Sequence, residues 1–387
     1  MKKNHLKVLA LALLLPAAFA VQSCSNEDDP IPPATATGIA SNPNDFRGEV
    51  KSGEKVTLDA TKVYKLTGGV HVKDGGQLII PAGTRIESTG GTSAYVTVEQ
   101  GGKIFANGTA SAPVVFTSPT GAPGSWGGIV IAGKAPINKG TTASAEVGNA
   151  TYGGTVANDN SGSLTYVRIE HSGAIFTGEK EFNGLSLFGV GSGTTISNIS
   201  ILNGADDGIE FFGGTVNVSN IISVGNEDDG FDWTEGWNGT ATNVYTKRRA
   251  NGIGNRGIEA DNNAENNNAE PRSNPTIKNA TFIGATSGES DGIKLRVGTY
   301  ATIDNVVLSN WNTGINVEHD ASVAYFNGTG KITNVKFDAV TTKASVKASA
   351  GSIAAILLAN TFVENASATG AGNGTAAPAW AATWGGL

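Results

Sequence analysis

The sequence predicts an all-β fold, a parallel β-helix (solenoid) with loop insertions and a C-terminal cap. A short glycine phrase recurs five times, with glycines 22, 27, 35 and 22 residues apart, and so short a period is typical of a solenoid. A second phrase, two runs of alternating apolar residues that meet at an asparagine, precedes most of the glycine phrases without any helical period. The glycine phrases occupy residues 207–210, 229–232, 256–259, 291–294 and 313–316.

The chain begins with a predicted lipoprotein signal peptide at residues 1–23. Lysines precede an apolar run, residues 8–21, that is too short to span a bilayer. The only cysteine, Cys24, follows in a sequence that resembles a lipobox, so we expect Cys24 to carry lipid; ordinary secretion is the alternative. Residues 24–44 contain an acidic run and then several prolines, which predicts a tether to a folded part that begins near Asp45.

Residues 45–365 predict the β-helix itself. β-Branched residues dominate the strand runs, and every second side chain is expected to point inward. Asparagine tolerates the left-handed conformation and suits a bend between two strands. We expect the asparagines of successive coils to stack as a hydrogen-bonded ladder, with independent turn residues as the alternative. They are Asn198, Asn220, Asn243, Asn279, Asn305 and Asn334.

Two segments rich in glycine, proline or asparagine predict insertions between coils, near residues 118–162 and 233–275. Insertions on a solenoid commonly gather on one face and form its binding surface. The last segment, residues 366–387, contains Trp380 and Trp384 in a background of alanine and glycine. We expect it to cap the open end of the stack, because an uncovered sheet edge invites aggregation.

The composition excludes one class of partner. The 387 residues include 53 glycines and carry a formal net charge of −7, which becomes −10 without the three lysines of the signal peptide. Nucleic acid is therefore not an expected partner, because phosphate binding requires a basic face. A lone cysteine also cannot form an internal disulfide.

Three long phrases, at residues 126–138, 161–170 and 205–216, resemble a family of Bacteroidota surface lipoproteins. That family has a right-handed parallel β-helix of the pectate-lyase-like class, and most members have no assigned activity. The acidic run after Cys24 is similar to the export signal of surface lipoproteins in the same bacteria. The resemblance implies a right-handed coil and a lipid-anchored protein of the outer membrane, exposed on the cell surface. It implies no catalytic residues.

Aligning the glycine phrases predicts two columns of side chains that run along one ridge of the solenoid. Like charges on adjacent coils would lie about 5 Å apart, which is unfavourable unless protons, basic groups or a cation compensate. Asp206 and Asp228 flank the first column. The columns are Asp207, Asp229, Arg256, Asp291 and Thr313, and Glu210, Asp232, Glu259, Lys294 and Asn316.

Three interpretations of these columns stay open. Clustered carboxylates fit a calcium site, with Asp206, Asp207, Asp228 and Asp229 as ligands and calcium as the one cofactor expected. Catalysis on a polysaccharide would draw on Asp229, Asp232, Arg256 and Lys294, with Lys247 as a further base. In the third interpretation the aspartates only cap turns and pair with Arg256 and Lys294.

We expect the protein to bind an extracellular ligand, best explained as a glycan, without catalysis. A polysaccharide lyase or glycoside hydrolase is one alternative, and a passive adhesion or surface-structure protein is another. An outer-membrane transporter is a further expected partner. Loop tryptophans can stack on sugar rings, with core packing as the alternative role. The predicted ligand-binding residues are Asp207, Glu210, Trp233, Trp237 and Glu259, and Trp126 and Trp311 are weaker candidates.

Overall fold

A computed structural model describes residues 37–352 and 360–387 of the chain. The predicted signal peptide, the lipidation site Cys24 and most of the tether lie outside the described residues. All described residues belong to one compact unit, Pro33–Leu387. In this part of the chain, no helix combines the length and the apolar character needed to cross a membrane.

Strands, most of them short, are the main regular secondary structure of the described chain. The first are β1 (Phe46–Val50), β2 (Lys55–Thr57), β3 (Val63–Val72), β4 (Gln77–Pro81), β5 (Arg85–Ser88), β6 (Val96–Val98), β7 (Lys103–Asn107), β8 (Val114–Thr117), β9 (Ile129–Ala132), β10 (Ala143–Ser144), β11 (Thr151–Tyr152), β12 (Gly162–Glu170), β13 (Ile175–Thr177) and β14 (Lys180–Glu181). The others are β15 (Leu185–Phe188), β16 (Thr195–Leu202), β17 (Ile209–Phe212), β18 (Val218–Val224), β19 (Phe231–Thr234), β20 (Thr240–Lys247), β21 (Ile258–Ala260), β22 (Thr276–Ile283), β23 (Asp291–Leu295), β24 (Thr302–Glu318) and β25 (Ile332–Lys347). Within residues 37–352 and 360–387, helical turns are limited to 3₁₀ segments at Gly38–Ala40, Gly91–Ser93 and Ala379–Ala381 and to α1 (Asp320–Phe326).

The strands wind into a right-handed parallel β-helix, which confirms the predicted fold class. Twenty-one of them form one continuous sheet, while β10 with β11 and β13 with β14 form separate antiparallel hairpins. From β16 onward each coil pairs a long strand with the long strand of the next coil, as in β16–β18–β20–β22–β24–β25. A second column joins the short strands β9, β15, β17, β19, β21, β23 and the end of β24.

The asparagine ladder forms as expected in five of its six positions. Asn220, Asn243, Asn279 and Asn305 each donate a side-chain hydrogen bond of 2.8–3.0 Å to the asparagine of the preceding coil. All of them adopt a positive φ, which is why the long strands bend there. Asn334 instead donates to Asp304 Oδ1 at 2.7 Å, because Asn305 Oδ1 already accepts the backbone N–H groups of Thr369 and Gly370.

Inward-pointing side chains of all coils form one continuous apolar core from Phe46 to Val335. The core includes Trp233 and Trp237, both 0% exposed, so their prediction as ligand-binding residues is wrong. Their indole N–H groups donate to Thr299 Oγ1 at 2.9 Å and to the Val216 carbonyl at 3.1 Å. Trp126 and Trp311, at 0% and 2% exposure, are core residues as well.

The predicted insertion ranges contain both coil strands and true insertions. Strand β9 lies within residues 118–162, and β20 and β21 lie within residues 233–275. The segment from residue 133 to 160 leaves the coil and packs Ile137, Val147 and Tyr152 onto the outward side chains Phe188 and Phe212. Residues 248–257 and 261–275 are the irregular parts of the second range.

The C-terminal segment lies along the side of the β-helix, and the expectation that it covers the open end is wrong. Trp384 packs with Leu202, Ile222 and Tyr245, which point outward from the long strands. Ser200 Oγ donates to the Gly385 carbonyl at 2.6 Å and Thr281 Oγ1 donates to the Gly374 carbonyl at 3.0 Å. These outward apolar side chains need a cover, which explains the lateral position.

Candidate binding site on the acidic face

The strand register confirms the second predicted column. Glu210 lies opposite Asp232, Asp232 opposite Glu259, Glu259 opposite Lys294, and Lys294 opposite Asn316. Neighbouring apolar residues of the same strands, such as Ile209 and Phe211, point inward. Because side chains alternate along a strand, the charged residues share the outward side of the short strands. We call this column and the flanking residues Asp206, Asp207, Asp228 and Asp229 the acidic face.

The first column lies at the turn that enters the short strands. The backbone N–H of Asp229 donates to Asp207 Oδ1 at 2.8 Å, and the backbone N–H of Arg256 donates to Asp229 Oδ1. Gly208 lies where any Cβ would come within 2.2 Å of Ser223 Oγ, so only glycine fits. The carboxylates of Asp207 and Asp229 therefore do act as turn caps, as the structural interpretation expects.

The C-terminal half of the acidic face is neutralised by arginines and a lysine. Arg256 lies 3.4 Å from Asp229 Oδ2, 2.5 Å from Glu259 Oε1 and 3.2 Å from Glu289 Oε2. Arg296 pairs with Glu259 and, at 2.8 Å, with Asp261. Lys294 Nζ lies 3.4 Å from Glu318 Oε1.

The N-terminal half has no such compensation. Within residues 37–352 and 360–387, no lysine or arginine lies within 4.0 Å of the carboxylates of Asp206, Asp207, Glu210, Asp228 or Asp232. Glu210 accepts a hydrogen bond of 2.7 Å from Asn183 Nδ2, and Asp228 accepts one from Asn255 Nδ2. The half-buried carboxylate of Asp232 accepts no hydrogen bond from the described residues.

Burial and mutual repulsion raise the pKa of four carboxyl groups in the N-terminal half. Burial, followed by the charges of neighbouring carboxylates, raises the pKa of Asp207, Glu210 and Asp232 well above the ordinary range. The same causes, with Asp228 as the first neighbour, raise the pKa of Asp206 to about 7. These four groups therefore hold their protons to higher pH than exposed carboxyl groups do, unless a cation replaces the protons.

Each of three groups of carboxylates could hold a metal ion, since the oxygens within a group lie within 4.8 Å of one another. These groups consist only of hard oxygen donors, which calcium prefers. They include all four predicted calcium ligands and extend the set by Glu210, Asp232 and Glu259. The groups are Asp206, Asp207 and Asp228; Asp207, Glu210 and Asp232; and Asp229, Asp232 and Glu259.

The structure brings three of the four predicted catalytic residues, Asp229, Asp232 and Arg256, into contact or near contact. Lys294 lies one strand further along, beside Glu259. Burial lowers the pKa of Arg256, but Asp229 and Glu259 outweigh it and the net pKa is raised. Arg256 is therefore held in its charged form and is poorly suited to act as a base.

Sequence patterns do not predict the loop residues that border the acidic face. Glu235 is 7% exposed, has φ +56°, pairs with Lys139 Nζ at 3.0 Å and accepts a hydrogen bond from the Tyr152 hydroxyl. Asn138 joins the two insertions, since its side-chain amide donates to Asn262 Oδ1 at 2.8 Å. These contacts link residues more than 80 positions apart in the chain, and no local pattern encodes them.

Comparison with known proteins agrees with this architecture. The profile of one protein family, described as a pectate-lyase like beta helix domain, matches residues 48–385. No curated protein matches the chain significantly. The crystal structure of the enzymatically active domain of bacteriophage CBA120 tailspike protein 2 is similar at 11% identity, with a TM-score of 0.19, over 74% of this chain and 38% of that chain. This chain thus spans well under half of that structure, and so distant a likeness says nothing about the site.

Proposed function

Because the chain belongs to the family of pectate-lyase-like β-helix domains, we propose that it is a glycan-binding protein whose acidic face contacts an extracellular polysaccharide without cleaving it. One observation carries the proposal. Glu210 and Asp232 lie opposite each other in the second column, with Asp207 beside them, and none of the three carboxylates forms an ion pair with a described lysine or arginine. Sugar hydroxyl groups can donate hydrogen bonds to such carboxylates.

The regular spacing of the face also suits a polymer. Equivalent side chains repeat about every 4.8 Å along the coils, so the successive carboxylates Glu210, Asp232 and Glu259 can meet successive units of a rigid polymer. The rigid sheet requires little ordering when the ligand binds, which favours affinity.

Calcium is proposed as the cation that replaces protons on the N-terminal half of the acidic face. Asp206, Asp207 and Asp228 would hold it, or Asp207, Glu210 and Asp232, with further oxygens from the glycan. Calcium takes six to eight oxygen ligands in flexible geometry, and these carboxylate groups supply part of such a set.

The proposed location is the outer membrane, with lipid on Cys24 and the β-helix exposed on the cell surface, as in Bacteroidota surface lipoproteins. Support comes from the sequence, namely the lipobox-like Val21–Cys24 segment and the acidic run behind it. An outer-membrane transporter is the proposed partner in uptake. Replacing Cys24 by serine should abolish palmitate labelling and release the protein from membranes, whereas the unmodified protein should be digested by protease added to intact cells.

Binding to immobilised polysaccharides tests the proposal directly. The soluble form, residues 24–387 with Cys24→Ser, should be retained by at least one polysaccharide in the presence of calcium. Asp232→Asn should weaken retention at least about tenfold, while Glu49→Gln, which removes a half-exposed carboxylate elsewhere, should leave it unchanged. Absence of retention by every polysaccharide tested would refute the proposal and favour a passive adhesion or surface-structure protein.

A polysaccharide lyase or glycoside hydrolase is the second candidate, and one group of carboxylates favours it. The carboxylate oxygens of Asp229, Asp232 and Glu259 lie within 4.8 Å of one another. Asp232 carries a raised pKa suited to an acid, while Arg256 and Arg296 contact Glu259. Asp232 and Glu259 could then serve as the acid and the nucleophile of glycoside hydrolysis. Release of reducing ends, or of an ultraviolet-absorbing unsaturated product, that disappears in Asp232→Asn would establish this activity.

A further inference from the structure

A recess of 460 Å³ lies at the corner where the short strands lead into the next coil. Two glycines of successive coils, Gly214 and Gly236, help to open it, and both have positive φ. Tyr300 of a later coil closes it. None of the residues of the acidic face lines this recess, so it is a separate site.

The walls of the recess are apolar and planar. Pro136 of the first insertion and Pro271 of the second line it. Both faces of the Tyr300 ring are covered, one by the Arg272 guanidinium at 4.5 Å and the other by the Tyr325 ring at 3.9 Å. Tyr300 therefore offers its edge and its hydroxyl group to the recess, while the proline rings offer surfaces for the C–H groups of a ligand.

Polar groups with free hydrogen-bonding capacity project into the same space. The Tyr300 hydroxyl has no hydrogen-bond partner among the described residues. Asn238 Nδ2 donates to the carbonyls of Gly236 and Arg272 at 2.8 Å each, which leaves its Oδ1 free to accept. Glu270, whose side chain is 71% exposed, stands at the rim. Asn238 Oδ1 and the Tyr300 hydroxyl oxygen are thus open to accept hydrogen bonds from a ligand.

The recess is held in shape before any ligand binds. Arg272 Nη1 donates to the carbonyls of Asn267 at 2.9 Å and Gly298 at 2.8 Å, and Nη2 donates to Asn268 Oδ1 at 3.0 Å. These bonds tie the insertion to the next coil. Little ordering is required on binding, which favours affinity for a small ligand.

We propose that this recess binds a neutral saccharide, a monosaccharide or a disaccharide unit. Its volume falls within the range of about 300–1,000 Å³ that is usual for small-ligand sites. Free acceptors match sugar hydroxyl donors, and the proline rings match the apolar face of a pyranose. An acidic sugar is not expected, because the Arg272 guanidinium is already occupied: its Nε pairs with Glu270 Oε1 at 3.6 Å and its Nη1 donates to backbone carbonyls.

Saturation-transfer NMR on the soluble form, with cellobiose, maltose, lactose and mannobiose as probes, tests the site. At least one disaccharide should bind the unsubstituted chain. Tyr300→Phe keeps the ring stack but removes the hydroxyl group, and Asn274→Ala removes an exposed amide that lines the recess. At least one of these changes should lower affinity about fivefold or more, as loss of a hydrogen bond does. Tyr166→Phe, a hydroxyl deletion beside Trp384, should not.

The proposal is overturned if no probe binds, if both recess variants bind like the unsubstituted chain, or if Tyr166→Phe loses as much affinity as they do. Asp232→Asn separates this site from the acidic face. Disaccharide binding that persists in Asp232→Asn but falls in Tyr300→Phe supports the recess, whatever the polysaccharide assay shows. Loss in Asp232→Asn alone contradicts the recess and leaves the acidic face as the sugar site.

Discussion

Single carboxyl groups on the acidic face make the stability of the fold depend on pH. In the unfolded chain these groups have pKa values of about 3.9–4.3. In the folded chain burial and neighbouring carboxylates raise the pKa of Asp207, Glu210 and Asp232 well above that range, and the pKa of Asp206 to about 7. At any pH between the unfolded-state pKa and the folded-state pKa of these groups, the native state binds more protons than the unfolded state. The free energy of unfolding therefore falls as pH rises through this interval.

We therefore expect the melting temperature of the soluble form, measured with EDTA, to decrease from pH 5 to pH 8. Burial lowers the pKa of His171, so the contribution of this histidine to stability increases with pH, but it is a single group against several carboxyl groups. Asp232→Asn should reduce the slope, because it removes one titrating group and relieves repulsion on Glu210 and Glu259. A melting temperature that is flat or increases over this interval would contradict the assignment of these groups as unneutralised.

Sequence predictions for single residues are confirmed where a repeat shows on which side of its strand each residue lies. The spacing of Glu210, Asp232 and Glu259 from their glycines predicts their alignment, because alternation within a strand leaves only two sides. The same alternation that places Asp232 outward places Trp233 inward, so the prediction of Trp233 as a ligand contact conflicts with the repeat. Trp237 lies beyond the end of β19, where alternation gives no side. Trp237 stacks on Phe211 at 3.9 Å, a contact between different coils that no local pattern shows.

At the scale of elements, the asparagine ladder stabilises the bend shared by the long strands. Asn243 donates to Asn220 Oδ1 at 2.8 Å and accepts from Asn279 at 3.0 Å. Replacing it with alanine removes both hydrogen bonds and places alanine at a positive φ, so we expect a loss of about 3 kcal/mol. Thr242→Ala, the neighbouring outward position, should cost less than about 1 kcal/mol. Chemical denaturation measures both.

A double-mutant cycle tells a ladder from independent turns. Asn220→Ala and Asn243→Ala share one hydrogen bond, so their combined loss should be about 1 kcal/mol smaller than the sum of the single losses. Additive losses would show that each asparagine acts alone.

Element boundaries were harder to predict than element types. Strand β20 is recognisable from the alternation around Asn243 and β21 from the glycine phrase 256–259, yet both lie inside the range 233–275 that is expected to be an insertion. Strand β9 lies inside the other range, 118–162. Proline and glycine next to β9 mask its pattern. The contacts that join the insertions, such as Asn138 to Asn262, are not encoded in the local sequence.

For the whole molecule, the C-terminal segment is a lateral cover of the β-helix. Trp384 is 1% exposed and packs against Tyr166 with ring centroids 5.7 Å apart. Trp384→Ala should lower the free energy of unfolding by about 3–5 kcal/mol and increase binding of a hydrophobic dye, because Leu202 and Ile222 lose their cover. Trp380→Ala, at a half-buried position, should cost less. Equal effects of the two changes would contradict the lateral packing.

The unneutralised half of the acidic face is the central claim, and the melting temperature of the soluble form at pH 7.5 with calcium or with EDTA tests it most directly. Calcium bound to the native state raises stability by mass action, so we expect melting several degrees higher with calcium. Asp232→Asn should reduce the difference and Glu49→Gln should leave it intact. The same melting temperature with calcium and with EDTA would contradict the proposed cation-dependent site.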